Sequence, residues 1–329
     1  MQLTAATLLS TIVTVAGAIE THGGYQYEAR FSPDAAPETK DVKDPYETAA
    51  ATQAYARLQE QIEATGIAQQ CLTASVGVEP ADLYALKDCI TTDDKGDFFT
   101  LLAEDIQESN GFWHRVVQES TSDRTHWVPA RVYTKGYFNG SLTATQFAAW
   151  TLSENADLAN LHANPEHYYK ATVLDATGTQ SSQIFEGWGG VLSKFGTKRT
   201  NFTVPAFATP KYGTADTPEA WDIGARFPLL LQRVGAKVLV SGGQEVFGVL
   251  HIAVRDFAAS EGSTGLSGIE VYSAVWYPPW DQASKDDQAE FVKNYLADEA
   301  HHMVVEVINL TLQAQKDCKS GLCVLPFSV

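Results

Sequence analysis

The chain is short of positive charge. Its 329 residues carry 23 Lys and Arg against 40 Asp and Glu, a formal net charge of −17 at pH 7. Binding to phosphate backbones and docking on anionic lipid both need a basic surface, so neither nucleic acid nor a membrane is an expected partner. Methionine is scarce, with 2 residues against 15 Phe, 13 Tyr and 7 Trp, which predicts a rigid aromatic interior. The sequence contains no GxSxG elbow, no P-loop and no GxGxxG turn, so elbow hydrolases, P-loop nucleotide enzymes and Rossmann oxidoreductases are set aside. The stretch His301-His302-Met-Val-Val-Glu306 is not HExxH, and there is no CxxC or Cys/His zinc spacing. With no haem signature either, no cofactor is expected.

Long apolar runs are also missing, apart from one at the start. Met1 to Ala18 is a short apolar, Thr-rich segment with Ala16 and Ala18 at the −3 and −1 positions of a signal-peptidase cut before Ile19. It is too short to span a bilayer, so it reads as a secretory signal and the protein as secreted or lumenal. Three sequons agree: Asn139-Gly-Ser141, Asn201-Phe-Thr203 and Asn309-Leu-Thr311. The four cysteines, Cys71, Cys89, Cys318 and Cys323, allow three pairings. Their grouping favours Cys71–Cys89 and Cys318–Cys323, structural disulfides of a secreted protein, and leaves no free thiol for catalysis.

The length permits one or two domains. The expected organisation is a signal peptide over 1–18, an extended arm over 19–45, a helical N-terminal region over 46–125 and an α+β region over 126–329. The last two form one compact domain. Helical patterns run from Pro45 through Ile62, over Ala81 to Cys89, and from Phe98 to Glu119 with a break at Gly111. Strand patterns cover Trp127–Tyr137, Tyr168–Asp175 and Gln183–Gly187. Thr143–Leu161 reads as one helix, Lys194–Pro210 as loop, and Pro218–Val234 as a helix kinked at Pro228. Val246–Asp256 and Ile269–Tyr277 are the clearest strands, and Asp286–Lys316 is the best helix. The fold class is α+β: an antiparallel sheet packed against helices, with a helical N-terminal block and a long C-terminal helix.

Two constellations carry the chemistry expected from sequence. In the hairpin, period-two alternation puts Phe247, Val249, His251, Ala253 and Arg255 on one face, opposite Glu270, Tyr272, Ala274 and Trp276. His251, Arg255, Glu270 and Tyr272 are candidate catalytic groups there, with Phe247 and Trp276 as substrate contacts in an aromatic pocket. On the long helix, Asp298, His302 and Glu306 recur at i+4 and form one polar stripe, in which a His beside carboxylates suits proton transfer. Trp188, in Glu186-Gly-Trp-Gly-Gly190, is a third substrate contact beside an acid. The cluster His162-Ala-Asn-Pro-Glu166-His167-Tyr168-Tyr169 has residue types that fit metal binding or acid–base work at a helix-to-strand junction. His114 and His126, beside tryptophans, read as packing residues.

The segments Val246–Asp256, Gly268–Tyr277 and His302–Asp317 resemble a group of uncharacterised secreted proteins of filamentous fungi. The likeness covers the C-terminal half and transfers no functional residue. Some proteins of this kind accompany natural-product pathways and act as cofactor-free cyclases, Diels–Alder enzymes among them, and the resemblance implies that context here. The resulting expectation is a secreted, cofactor-independent lyase, isomerase or cyclase acting on an apolar small molecule in fungal secondary metabolism. Two alternatives stand beside it: an extracellular hydrolase or lyase with a metal on His162, His167 or His302 and nearby carboxylates, and a non-enzymatic secreted ligand-binding protein.

Overall fold

The alternating and apolar runs assemble into a single antiparallel sheet of nine strands in the order β1-β2-β3-β9-β8-β7-β6-β5-β4. A computed structural model describes residues 20–31, 42–72, 79–92, 97–174, 180–199, 223–240 and 245–323. The strands are β1 (Glu20–His22), β2 (Tyr25–Arg30), β3 (Val128–Tyr137), β4 (His167–Leu174), β5 (Gln180–Trp188), β6 (Val191–Arg199), β7 (Gln232–Leu239), β8 (Val246–Phe257) and β9 (Gly268–Tyr277). The helices are α1 (Asp44–Thr65), α2 (Pro80–Thr92), α3 (Phe98–Leu101), α4 (Ala103–Gln118), α5 (Ala144–Trp150), α6 (Glu154–Asn160), the short turn α7 (Ile223–Arg226), α8 (Lys285–Glu290) and α9 (Ala297–Lys319). A π-helical segment, Phe291–Leu296, joins the last two into one long C-terminal helix. The α+β class is as the sequence indicates.

Strand β9 is buried at every residue because both faces of the sheet are covered. On one face α4 and α9 bring Trp113, Met303, Val304 and Ile308 onto Phe195, Phe247, Val271 and Val275. On the other, Trp127, Tyr133, Ile223 and Phe227 pack with Val249, Tyr272 and Trp276. A third cluster sits under α1–α3, where Leu58, Leu83 and Leu101 meet Tyr168, Phe185 and Leu192 of the β4–β6 end.

Several local expectations are corrected. The arm expected over 19–45 contains the edge hairpin β1–β2, with Gly23 and Gly24 at positive φ in its turn. Thr143–Leu161 breaks into α5 and α6, because Ser153 accepts from the Ala156 amide and starts a new helix. Residues 194–199 lie in β6, not in a loop. Of the helix expected over Pro218–Val234, residues 218–222 lie outside the described residues; from Ile223 on there are only α7 and a 3₁₀ turn at Leu229–Leu231, and the chain is already strand at Gln232. Pro228 has no N–H for a helical bond, and Val234, Val238 and Leu239 find partners across β6 and β8. The signal peptide and Asn201 lie outside the described residues. Among the described residues no helix is long and apolar enough to cross a membrane.

Both disulfides pair locally, Cys71 with Cys89 and Cys318 with Cys323. They are compatible with a secreted protein. Their loops differ, with sequence separations of 18 and 5. Loop-closure entropy then favours the first bridge, at about 3 kcal/mol against about 2 kcal/mol. Thermal denaturation of Cys71→Ser and Cys318→Ser should show the larger fall for Cys71→Ser. Equal falls would mean that native packing, not chain entropy, sets both values.

Candidate metal centre

Register brings the chemistry together at the β4–β5 end of the sheet. His167 opens β4 and pairs directly with Glu186 near the end of β5. The turn that follows is the two-residue loop Gly189-Gly190 between the paired Trp188 and Val191. Both glycines take positive φ, as the mirror-image turn of a tight hairpin requires. Gly189 also lets the turn approach Tyr295, whose ring carbon would stand 2.9 Å from a Cβ added at Gly189. Tyr295 belongs to the π-helical segment. Such insertions re-aim the residues around them and recur at functional sites. Beyond it, α9 lays His302 over the His167–Glu186 pair.

Three ligand atoms converge there. His167 Nε2 lies 2.9 Å from His302 Nε2 and 3.5 Å from Glu186 Oε2. One ligand atom from each of the three residues falls within a 4.8 Å sphere of mutual distances, and all three residues are buried. Two donors each about 2.0–2.1 Å from a tetrahedral zinc ion stand roughly 3.3 Å apart, so the observed spacings bracket what such an ion needs. The hydrogen-bond directions agree. His167 Nδ1 is 3.0 Å from the Asn160 carbonyl oxygen, which can only accept. The proton of neutral His167 therefore sits on Nδ1, and its Nε2 presents a lone pair toward His302 and Glu186. Burial holds His167 well below the usual histidine range, and it holds His302 down at about 4. Both rings are neutral at physiological pH, the form that binds metal.

Outer contacts fix these groups. Lys237, itself buried, donates to Glu186 Oε1 at 3.1 Å and leaves Oε2 turned to the histidines. Its ammonium also lies 3.6 Å from Glu299 Oε1 and 4.2 Å from the Trp188 ring centroid. Tyr277 donates to the same Glu299 oxygen at 2.8 Å. The loop before His167 is pinned from α2: Lys87 Nζ donates to the Leu161, Asn164 and Pro165 carbonyls at 2.5, 3.2 and 3.2 Å. Asn164 then donates to the His302 carbonyl at 3.0 Å and accepts the Glu166 amide at 2.9 Å. Burial pushes the Glu166 and Glu299 carboxyls up to about 7 and Glu306 up to about 8. Carboxyl groups outnumber buried cations around the centre, a balance that a divalent ion would redress.

A cavity of about 80 Å³ borders the centre on its His302 side, lined by His302, Asn164, Glu166, Asp298, His301 and Tyr46 among others, while His167 and Glu186 do not line it. A wider cleft of about 780 Å³ lies further along α9 toward its C-terminal end, bordered by Tyr25, Tyr84, His162, Asn309 and Lys316.

The residues singled out in the sequence divide accordingly. His302 and Trp188 belong to the centre, with ring centroids 6.1 Å apart. Asp298 lines the small cavity, and Glu306 is half-buried one turn beyond His302. His162 stays outside the centre, 2.7 Å from Asp88 at the surface. The β8–β9 face is packed rather than open among the described residues. His251 is buried, its Nε2 3.1 Å from Gln232 Oε1, and burial lowers it to about 4. Tyr272 stands edge-on to His251 and Trp276 packs in the same cluster. Arg255 and Glu270 are tied into an ion-pair clamp with Arg226. None of these residues lines either cavity.

Phe247 is not on that face. It packs on Trp113 and Phe195, because the β7–β8 register slips beside Val246 and the bulge turns Phe247 toward the helices. Asn139 is exposed at a turn, whereas the Asn309 amide is occupied in α9, donating to Glu47 Oε1 and the Ala163 carbonyl. Glu186, Lys237, Glu299 and Tyr277 were not singled out as site residues. The available signal was charge inside strand-like apolar runs, Lys237 before Val238-Leu239 above all.

No family model matches the chain, and no curated protein does. Among solved structures, the crystal structure of Ara h 8.0201 aligns with 11% identity over 56% of this chain and 99% of that one, at a TM-score of 0.29. A likeness that low carries no argument about fold or function.

Proposed function

We propose that the protein is a secreted, divalent-metal-dependent enzyme of the hydrolase or lyase class that acts on a small molecule. The observation that carries this reading is the buried convergence of His167 Nε2, His302 Nε2 and Glu186 Oε2. Two imidazoles and one carboxylate are a donor set of catalytic zinc sites, which keep a further position for water or substrate. Bound there, the ion would supply a Lewis acid and a more acidic water. The chain's own part is to hold the ligands, exclude bulk water and offer Glu166, on the cavity wall, as the carboxyl group that moves a proton.

Elemental analysis of protein purified without chelator should find about one divalent transition metal per chain. Adding zinc to chelator-stripped protein should raise the midpoint of thermal unfolding, since an ion that binds only the folded state stabilises it by about 4 kcal/mol at a thousandfold excess over Kd. A metal-free protein whose unfolding is unmoved by zinc, manganese or iron(II) would overturn the reading.

A further inference from the structure

We infer that Lys237 and Glu299 become joined by an isopeptide bond, an amide between Lys237 Nζ and the side-chain carboxyl carbon of Glu299. An ion in the neighbouring centre is not required. Lys237 lies on β7 and Glu299 in the first turn of α9, so the bond ties the helix that carries His302 to the sheet. Both side chains are 2% exposed, and Nζ stands 3.6 Å from Glu299 Oε1. Aromatic rings enclose the nitrogen, with the Trp188, Phe195 and Tyr277 centroids 4.2, 4.4 and 5.8 Å away. An ion pair withdrawn from water to this depth loses most of its hydration, whereas an amide has no charge to bury.

The surrounding groups are those a condensation needs. Glu186 Oε1 accepts from Nζ at 3.1 Å and is placed to take its proton. Tyr277 donates to Glu299 Oε1 at 2.8 Å, the oxygen on which negative charge develops when the carboxyl carbon is attacked. The other oxygen, Glu299 Oε2, is buried and has no hydrogen-bond partner among the described residues. An ion triad alone leaves that atom desolvated and unpaired, at a cost the cross-link removes by expelling it. Burial pushes the Glu299 carboxyl up, which favours a proton on the oxygen that leaves. Glu186 is the base and not the acylated group, because its Oε2 faces His167 Nε2 at 3.5 Å while Oε1 holds Lys237.

The lone pair of Nζ, freed when a proton passes to Glu186 Oε1, attacks the Glu299 carboxyl carbon. The nitrogen–carbon bond forms and the bond from that carbon to Oε2 breaks. Oε2 departs as water with the two hydrogens that Nζ gives up, and Glu186 returns to its carboxylate. Ammonium and carboxylate thus become one amide and one water, with no oxidant, reductant or net proton change. Groups fixed this close react at effective molarities of about 10⁵–10⁸ M, which offsets the reluctance of a carboxyl group to condense in water. The amide N–H can still donate to Glu186 Oε1, so Glu186 keeps Oε2 turned to the histidines.

Tryptic peptide mapping of the reduced, purified protein by mass spectrometry tests this. The segments holding Lys237 and Glu299 should appear as one branched peptide, lighter than their sum by one water and uncut after Lys237. Lys237→Arg keeps the charge and should release the two segments as separate, full-mass peptides. In a pulse-labelled time course, Tyr277→Phe should link about a hundredfold more slowly, the usual cost of losing an oxyanion donor. The wild-type map decides even if a variant fails to fold. Separate Lys237 and Glu299 peptides in wild type, a link from Lys237 to Glu186 instead, or folded Tyr277→Phe protein linking as fast as wild type would overturn the inference.

Discussion

Glu270→Gln is expected to destabilise the protein by about 3–5 kcal/mol, the usual cost of removing one partner from a buried charge cluster. Glu270 has no exposure, yet it receives bonds from Arg226 Nε and Nη2 at 3.0 and 2.8 Å and from Arg255 Nε at 2.5 Å, with Lys135 at 3.4 Å. Burial alone would push its pKa up. The donors from Arg226, Arg255 and Tyr133 outweigh that and hold the carboxyl down at about 2. Gln keeps the shape and removes the charge, so Arg255 and the partly exposed Arg226 lose their shared counterion.

The same carboxylate sets an acid limit. Its folded pKa of about 2 lies below the ordinary 4.5, so its contribution is fully present above pH 4.5 and fades as the pH falls toward 2. The depression corresponds to roughly 3 kcal/mol by linkage. Urea unfolding of wild type and Glu270→Gln at pH 7, 4 and 3 should therefore show a gap that narrows on acidification. A gap that stays constant would mean that the carboxylate charge is not what stabilises the clamp.

His167→Ala should lower zinc affinity by more than a hundredfold. Loss of an outer contact to a metal ligand typically costs ten- to a hundredfold, and loss of a ligand costs more. His167 is the ring that faces both other donors, at 2.9 and 3.5 Å. His162→Ala is the matched control, because His162 pairs with surface Asp88 and should leave zinc binding unchanged. Competition titration against a chromophoric zinc chelator reads both variants. Equal affinity in wild type and His167→Ala would place the ion elsewhere or nowhere.

Local sequence pattern determined a good deal. Period-two alternation in β3, β8 and β9, the helical stripe in α9 and the close pairs of cysteines are features of neighbouring residues, and all appear where the sequence puts them. Strand β7 was hidden because Pro228 and Gly235 interrupt its surroundings, and its stability comes from ladders to β6 and β8 that no local window contains. Alternation alone also assigned Phe247 to the wrong face, since the bulge that turns it exists only in the pairing with β7.

The centre itself belongs to tertiary structure. His302 and the junction holding Glu166 and His167 are visible in the sequence as polar residues of the right type. What makes them a centre is the cross-strand pairing of His167 with Glu186, the π-helical segment ahead of α9, and Lys237 arriving from a distant strand to fix Glu186. The same residue types occur in the His251–Glu270 hairpin, where packing by Ile223, Phe227 and Trp127 fills the space a ligand would need. Composition and periodicity specify which residues can do chemistry. Only the register of the sheet and the placement of one helix across it decide which of them share a cavity, because a ligand set depends on distances between residues far apart in the chain.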